Sequence, residues 1–450
     1  MEQQGDKTRL LPDDVLAAVL GRLAPRDLAA CRCACKAWLT IIDARRILRA
    51  ELLPHTLAGI FINFNELTYS EFFCRPPPSE GLGIRLRERL VVYRTMDHCN
   101  GLLLQYNYVA NPATGWEAPL PRQPPPSPGL ECFPDEAYLV FDPAVSSHYQ
   151  VFLIPQVPYV ELDIAPFEDP YIEIDPTILE SEWPPSSCPL RVFSSLTGRW
   201  EERQFVREGE AAGTVAHLAT DDYLEDTRHG VYWRGALYVH CTNSFVMRLC
   251  LANNTYQVIK TPRSFEPGNC GQCLLGKSEK GVYYASLPRR SIYSLQLQVW
   301  ILDESSGCAK WVLEHDKDIK PLVPCLNEDQ QLHGPWIFQD VNYNEEKYRK
   351  LYNNHESMVI DDDLEWNSDN DALDIGDTAD KGGCNYISFL AFHPFKQIVF
   401  LSSKLNRGLA YYLSTSKVEV LGNLGPKYYS DIAGPRGLIE ASFPYTPCWM

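Results

Sequence analysis

Two periodicities divide the chain. Between Leu10 and Leu53 apolar residues recur at helical spacing: Leu16, Val19, Leu20 and Leu23 fall at i, i+3, i+4 and i+7, and Leu11 and Val15 widen the stripe. Pro12 suits a first helical turn, and Asp13 and Asp14 sit where the positive end of the helix dipole favours carboxylates. Ala24-Pro25 ends this helix, a second short one is expected from Pro25, and a third runs through Lys36, Trp38, Ile41 and Ile42, with Ala44 to Leu53 continuing helically. Beyond Pro54 the period falls to two. The run LAGIFINF lies before a break at Pro76-Pro77-Pro78, and four short strands follow: Leu90 to Tyr93, Leu102 to Gln105, Tyr108 to Ala110 and Trp116 to Leu120. Asn100-Gly101 and Asn111 to Gly115 supply turns between them.

The last of these turns has echoes at Leu196 to Trp200, Ala252 to Tyr256, Glu304 to Gly307 and Leu413 to Ser416, each between two apolar strands. From Thr114 through Thr197, Thr255, Ser306 and Thr415 the intervals are 83, 58, 51 and 109 residues. The middle two approach the kelch-type period of about fifty. The long ones carry insertions: a Pro-rich one at Pro119 to Pro128 and Pro155 to Pro189, and an acidic one with nine Asp or Glu between Asp361 and Asp380. Five units are visible, and strands around residues 57 to 64 are placed to close a sixth with the C-terminal strands. The expected fold is therefore mainly β with a small helical N-terminal module: a β-propeller of about six blades, a β-sandwich being the alternative. The expected boundaries are a disordered N-terminus over 1–9, the helical module over 10–53, a linker and first strands over 54–90, and a propeller-like domain over 91–450 with an acidic loop at 361–383.

Charge sharpens this division. Residues 1 to 50 hold nine Lys and Arg against six Asp and Glu, so a net +3 there leaves −20 on residues 51 to 450 within a total of −17. An acidic body of this kind argues against a nucleic-acid partner, because phosphates require Lys and Arg to neutralise them. Met1 to Arg9 is polar, and no run of some eighteen apolar residues occurs, so neither a secretory signal nor a membrane span is expected. The reading places the protein in the cytoplasm or nucleus, where its fifteen cysteines stay reduced.

Candidate chemistry adds little. Gly271 to Ser278 fits GxxxxGK[ST], but Ser264 to Gly268 before it and Glu279 to Tyr284 after it do not read as the strand and helix that a phosphate loop needs. Cys31, Cys33 and Cys35 alternate on a helix, and Cys270-x-x-Cys273 lacks a second pair, so no metal site is expected. Asp369-x-Asp371 opens like a calcium loop, yet Leu373 and the lack of a Gly at position six depart from it. No triad is apparent among the dispersed histidines, and no cofactor motif is found. The chain is expected to be no enzyme, the alternative being a propeller enzyme or carbohydrate-binding propeller with a helical cap.

About forty residues of short helices leave apolar surface uncovered and call for a partner. The stretch LPDDVLAAVLGRLAPRDLAACRCACKAW resembles the F-box of plant F-box proteins, through its Leu-Pro opening, the break at Leu23-Ala24-Pro25 and the closing Arg-Cys-x-Cys-Lys-x-Trp. CNGLLL at Cys99, YVANPATGW at Tyr108, YLVFDPAVSSHYQVFLIP at Tyr138 and HGVYWRGALYV at His229 resemble the propeller region of grass F-box proteins. The resemblance implies a substrate-recognition subunit of an SCF-type cullin ubiquitin ligase, docked on a Skp-type adaptor and through it on a cullin. It implies that Leu11, Pro12, Val15, Leu16, Val19, Leu28, Cys35 and Trp38 form the adaptor face or the core just behind it. For the unidentified target protein, Tyr159, Phe167, Tyr171 and Trp183 in the Pro-rich insertion have the aromatic composition of a binding patch with an acidic rim.

Overall fold

The computed structural model describes residues 12–23, 28, 31–32, 34–45, 47, 56–75, 92–158, 175–219, 230–241, 245–262, 272–287, 295–305, 307–322, 334–342, 387–403, 406–434 and 437–448. Helices α1 (Asp13–Leu20) and α2 (Lys36–Ala44) pack on each other at the N-terminus. Pro12, with extended backbone, precedes α1, and Asp13 and Asp14 occupy its first turn as the dipole favours.

The rest is almost entirely antiparallel β. After β1 (Gly59–Phe64) and β2 (Glu71–Cys74) come five four-stranded units in chain order. Unit A is β3 (Thr95–Cys99), β4 (Leu102–Gln105), β5 (Tyr108–Asn111) and β6 (Trp116–Pro119). Unit B is β7 (Asp135–Val140), β8 (Gln150–Pro155), β10 (Ser187–Ser194) and β11 (Arg199–Glu208), clasped by the small pair β9 (Glu182–Trp183) and β12 (Gly213–Thr214). Unit C holds β13 (Gly230–Trp233), β14 (Ala236–Cys241), β15 (Phe245–Cys250) and β16 (Thr255–Lys260). Unit D holds β17 (Gln272–Ser278), β18 (Gly281–Leu287), β19 (Gln296–Asp303) and β20 (Lys310–Asp318). After β21 (Ile337–Gln339), unit E holds β22 (Ile387–Phe392), β23 (Ile398–Ser403), β24 (Arg407–Tyr412) and β25 (Lys417–Asn423), and the chain ends on β26 (Ile439–Tyr445). A parallel pairing of β11 with β16, Val206 opposite Thr255, joins units B and C into one eight-stranded sheet.

A last sheet, in the order β21-β2-β1-β26, joins the two ends of the chain. Gly59 pairs with Tyr445 and Ile62 with Ser442, so the closure expected of the strands near residues 57 to 64 is present. Its outer strand β21 comes from the stretch between units D and E. Here Glu71, buried on β2, accepts hydrogen bonds from the N–H groups of Val341 and Asn342 at 2.8 and 2.9 Å and from Asn342 Nδ2 at 2.6 Å.

The packing explains why these residues form strands. The first strands β26, β3, β7, β13, β17 and β22 neighbour one another in a ring. Second strands such as β1, β14, β18 and β23 are buried along their whole length, whereas the fourth strands β6, β11 and β20 are largely exposed. A strand covered on both faces reads as a continuous apolar run, which is what GIFINF and GVYYASL are. Alternate residues then serve opposite neighbours: on β18, Val282 and Tyr284 join a cluster with unit C, and Tyr283, Ala285 and Leu287 one with unit E. Such clusters lie between successive units all the way round, the one between the closing unit and A holding Phe61, Phe72, Leu103 and Tyr445. The architecture is mainly β and propeller-like.

Two details differ from the sequence reading. The first strand of unit A is Thr95–Cys99, where Asp97 and His98 interrupt the apolar pattern because the strand lines the centre of the ring; of the strand expected at Leu90 to Tyr93, Leu90 and Val91 lie outside the described residues. In the repeated outer hairpin the residue with left-handed backbone is Gly115, Gly198, Asn254, Gly307 and Ser416, so in the second echo Asn253, and not Thr255, corresponds to Thr114. The N–H of Gly115, Gly198 and Ser416 closes the turn onto the carbonyl four residues back, at 2.8 to 2.9 Å.

Candidate functional site

The helical module buries one side of its apolar stripe and exposes the other. Leu16 and Leu20 of α1, Leu28, and Ile41 and Ile42 of α2 are buried, and they belong to one apolar cluster with Cys99, Leu102 and Leu104 of unit A and Leu139, Val151 and Phe193 of unit B. Val15 and Val19, one turn apart on the neighbouring face of α1, are 45% and 49% exposed. Leu23 and Leu39 are exposed as well. Two ion pairs link parts of the module. Arg32 holds Asp43 with two bonds of 2.7 and 3.0 Å, and Arg45 reaches Asp14 at 2.5 Å. Both lie at the surface, so each adds little stability.

Of the residues expected at an adaptor face, Pro12, Val15 and Val19 are exposed, Cys35 and Trp38 are half-buried, and Leu16 and Leu28 form the core behind them. Leu11 lies outside the described residues. The expected stripe is thus resolved into a buried half and an exposed half.

The insertion is placed differently. Tyr159, Phe167 and Tyr171 lie outside the described residues. Trp183 is only 3% exposed: its ring stacks on Phe133 with centroids 4.2 Å apart, and its carbonyl accepts from the Ala212 N–H. It is a core residue anchoring the end of the insertion to unit B, not an exposed contact. The Pro-rich connector before unit B is pinned likewise, with Trp200 donating to the Pro121 carbonyl and Arg191 to that of Pro124.

The centre of the ring is lined by Asp97, His98, Gly230, Gly276, Lys277 and Phe443, among others. Its polar groups already bind one another across units. Asp97 Oδ2 accepts from the Leu139 N–H at 2.7 Å, Lys277 Nζ donates to Asn100 Oδ1 at 2.6 Å, and Ser442 donates to the Leu390 carbonyl at 2.5 Å. Burial pushes the Asp97 carboxyl up to about 8 and the Cys99 thiol to about 12. These groups act as stitching between first strands. From Gln272 on, the GxxxxGKS stretch lies on β17, Gly271 being outside the described residues, so Lys277 sits in a strand with no helix after it to cradle phosphate, and the match is coincidental. Among the described residues no cluster of His, Cys, Asp and Glu is arranged to hold a metal.

Comparison with curated proteins finds no match to the chain. Residues 8–50, the stretch that carries the exposed Val15 and Val19, match the family model described as F-box-like, which supports an F-box protein whose N-terminal helical module is an F-box-like domain.

Proposed function

We propose that this chain is the substrate-recognition subunit of an SCF-type cullin ubiquitin ligase. F-box domains bind Skp-type adaptors, and the exposure of Val15 and Val19 supports a reading in which they make that contact. Isolated valines at a surface need no explanation, but two on one turn of a module too small to cover itself mark a face completed by a partner. The four-stranded units, read as blades, make a six-bladed propeller whose first strand comes from the C-terminus. The propeller is the body that presents a target, and the chain itself performs no chemistry. The unidentified target is a protein, and neither nucleic acid nor membrane enters this reading. Co-purification tests it: the full chain mixed with a purified Skp-type adaptor and cullin is expected to co-migrate with both on size exclusion. Elution of the chain alone while adaptor and cullin co-migrate would remove the ligase assignment.

A further inference from the structure

Hydrogen bonds gather the turns between first and second strands at one end of the ring. Asn100 of unit A donates to the Phe141 carbonyl of unit B at 2.7 Å, and Tyr232 of unit C reaches Asp142 of unit B at 3.5 Å. Ser278 of unit D donates to the His393 and Lys396 carbonyls of unit E, at 2.9 and 2.7 Å. Across the ring, the amine of Lys277 in unit D meets Asn100 Oδ1 of unit A at 2.6 Å. Lys277 thus stands at the mouth of the central cavity, whose wall continues through Tyr232, Pro394, Phe443 and Pro444.

The ammonium at this mouth is half-buried, and its partner is neutral. The bond from Asn100 to the Phe141 carbonyl fixes its amide, so its oxygen orients the amine without cancelling the charge. One of the three N–H donors of the lysine is used in this way, and Lys277 enters no ion pair among the described residues. Asp97, on the same wall, supplies little counter-charge near neutral pH, because burial pushes its carboxyl up to about 8. The surrounding turns carry Arg234, Lys280 and Lys396 against Asp142 and Glu279. Lys280 is matched by Glu314 at 3.7 Å, and Asp142 accepts from the Ala144 N–H at 3.0 Å as well as from Tyr232. With Lys277 counted and Lys280 set aside, cations outnumber carboxylates here, on a body whose sequence is acidic. Aromatic and proline walls of low dielectric focus the field of such a group on whatever enters.

We infer that the mouth of the central cavity binds an anionic side chain, a carboxylate or a phosphate, on the N–H groups of Lys277 that Asn100 does not take. That this side chain belongs to the target protein rests on the ligase reading above; the anion site itself does not. NMR of the lysine ammonium groups tests it, on the full chain carrying isotope-labelled lysine and titrated with inorganic phosphate or acetate at constant ionic strength. The signal of Lys277 is the one lost in Lys277→Gln, and Lys277→Arg assigns the same signal should the first variant fail to fold. It is expected to shift and saturate with phosphate, with acetate or with both. A shift with phosphate alone assigns the site to a phosphorylated side chain, and one with acetate alone to Asp or Glu. A Lys277 signal that stays in place with both anions, or moves as far with chloride, overturns the inference. A saturating shift in a chain that binds no adaptor would strike the ligase reading alone.

Discussion

Asp97 shows how one side chain ties stability to pH. It is buried on β3, with the Leu139 N–H as an anchor for one oxygen, and burial raises its pKa from an ordinary 3.8 to about 8. Because the folded value lies above the unfolded one, the folded state holds the proton more tightly. The stabilisation is complete below about pH 4 and is lost as pH rises through about 8. Glu71, raised to about 7 by burial, acts in the same direction. His393, lowered to about 4 by burial, acts oppositely, its stabilisation being lost as pH falls from its ordinary 6.5 through 4. Asp97→Asn keeps an acceptor for Leu139 and removes the titration, so its melting temperature is expected to fall less between pH 5 and pH 8; a profile parallel to that of the unsubstituted chain would show that Asp97 does not titrate there. Gly101 makes a second point. Its φ of +91° suits glycine, and a Cβ there would meet Cys448 Cβ at 2.4 Å and the Thr446 carbonyl at 2.7 Å. Gly101→Ala is expected to cost about 3 kcal/mol in a denaturant titration, against about 1 kcal/mol from the positive φ alone if the C-terminal residues do not pack on this turn.

At the scale of elements, the propeller-like ring depends on β26 lying beside β1. Removing residues 437–450 uncovers one edge of β1 and part of the clusters on both of its faces. This truncation is expected to lower the melting temperature steeply, whereas replacing 361–383 with a short Gly/Ser linker should barely move it, since closure entropy grows only logarithmically with loop length. A large drop with the linker would mean that the acidic stretch packs. What was legible in the sequence follows the same division between local and distant. The outer hairpins could be read because their turns need a left-handed residue at a fixed place, supplied by Gly115, Gly198 and Gly307 and, with a Cβ, by Asn254 and Ser416. The apolar run LAGIFINF could be read for the same reason of local pattern. The partnership of β2 with β21, some 270 residues away, left no trace, because Glu71 gives no periodic signal of the N–H groups it will meet. Trp183 was misread because an aromatic among prolines looks the same whether it stacks on Phe133 or faces water. In α1 the stripe was plain, but periodicity alone could not tell the half that packs, Leu16 and Leu20, from the half that stays exposed, Val15 and Val19.

For the whole molecule, the division is between a small, slightly basic helical head and a large acidic body whose clusters close on themselves around the ring. The buried side of the head shares a cluster with units A and B, so the head is fixed to the body while its other side stays open. The proposed adaptor contact rests on the exposed Val15 and Val19 of the head. The affinity of a purified Skp-type adaptor for the full chain, compared with its affinity for the Val15→Asp, Val19→Asp double variant, tests this account most directly. Both valines are exposed, so the variant should melt at the same temperature as the unsubstituted chain. Carboxylates buried unpaired against an apolar partner cost several kcal/mol, so the affinity is expected to fall by about a hundredfold or more. Binding by the double variant at unchanged affinity, or no binding by the unsubstituted chain, would contradict the account.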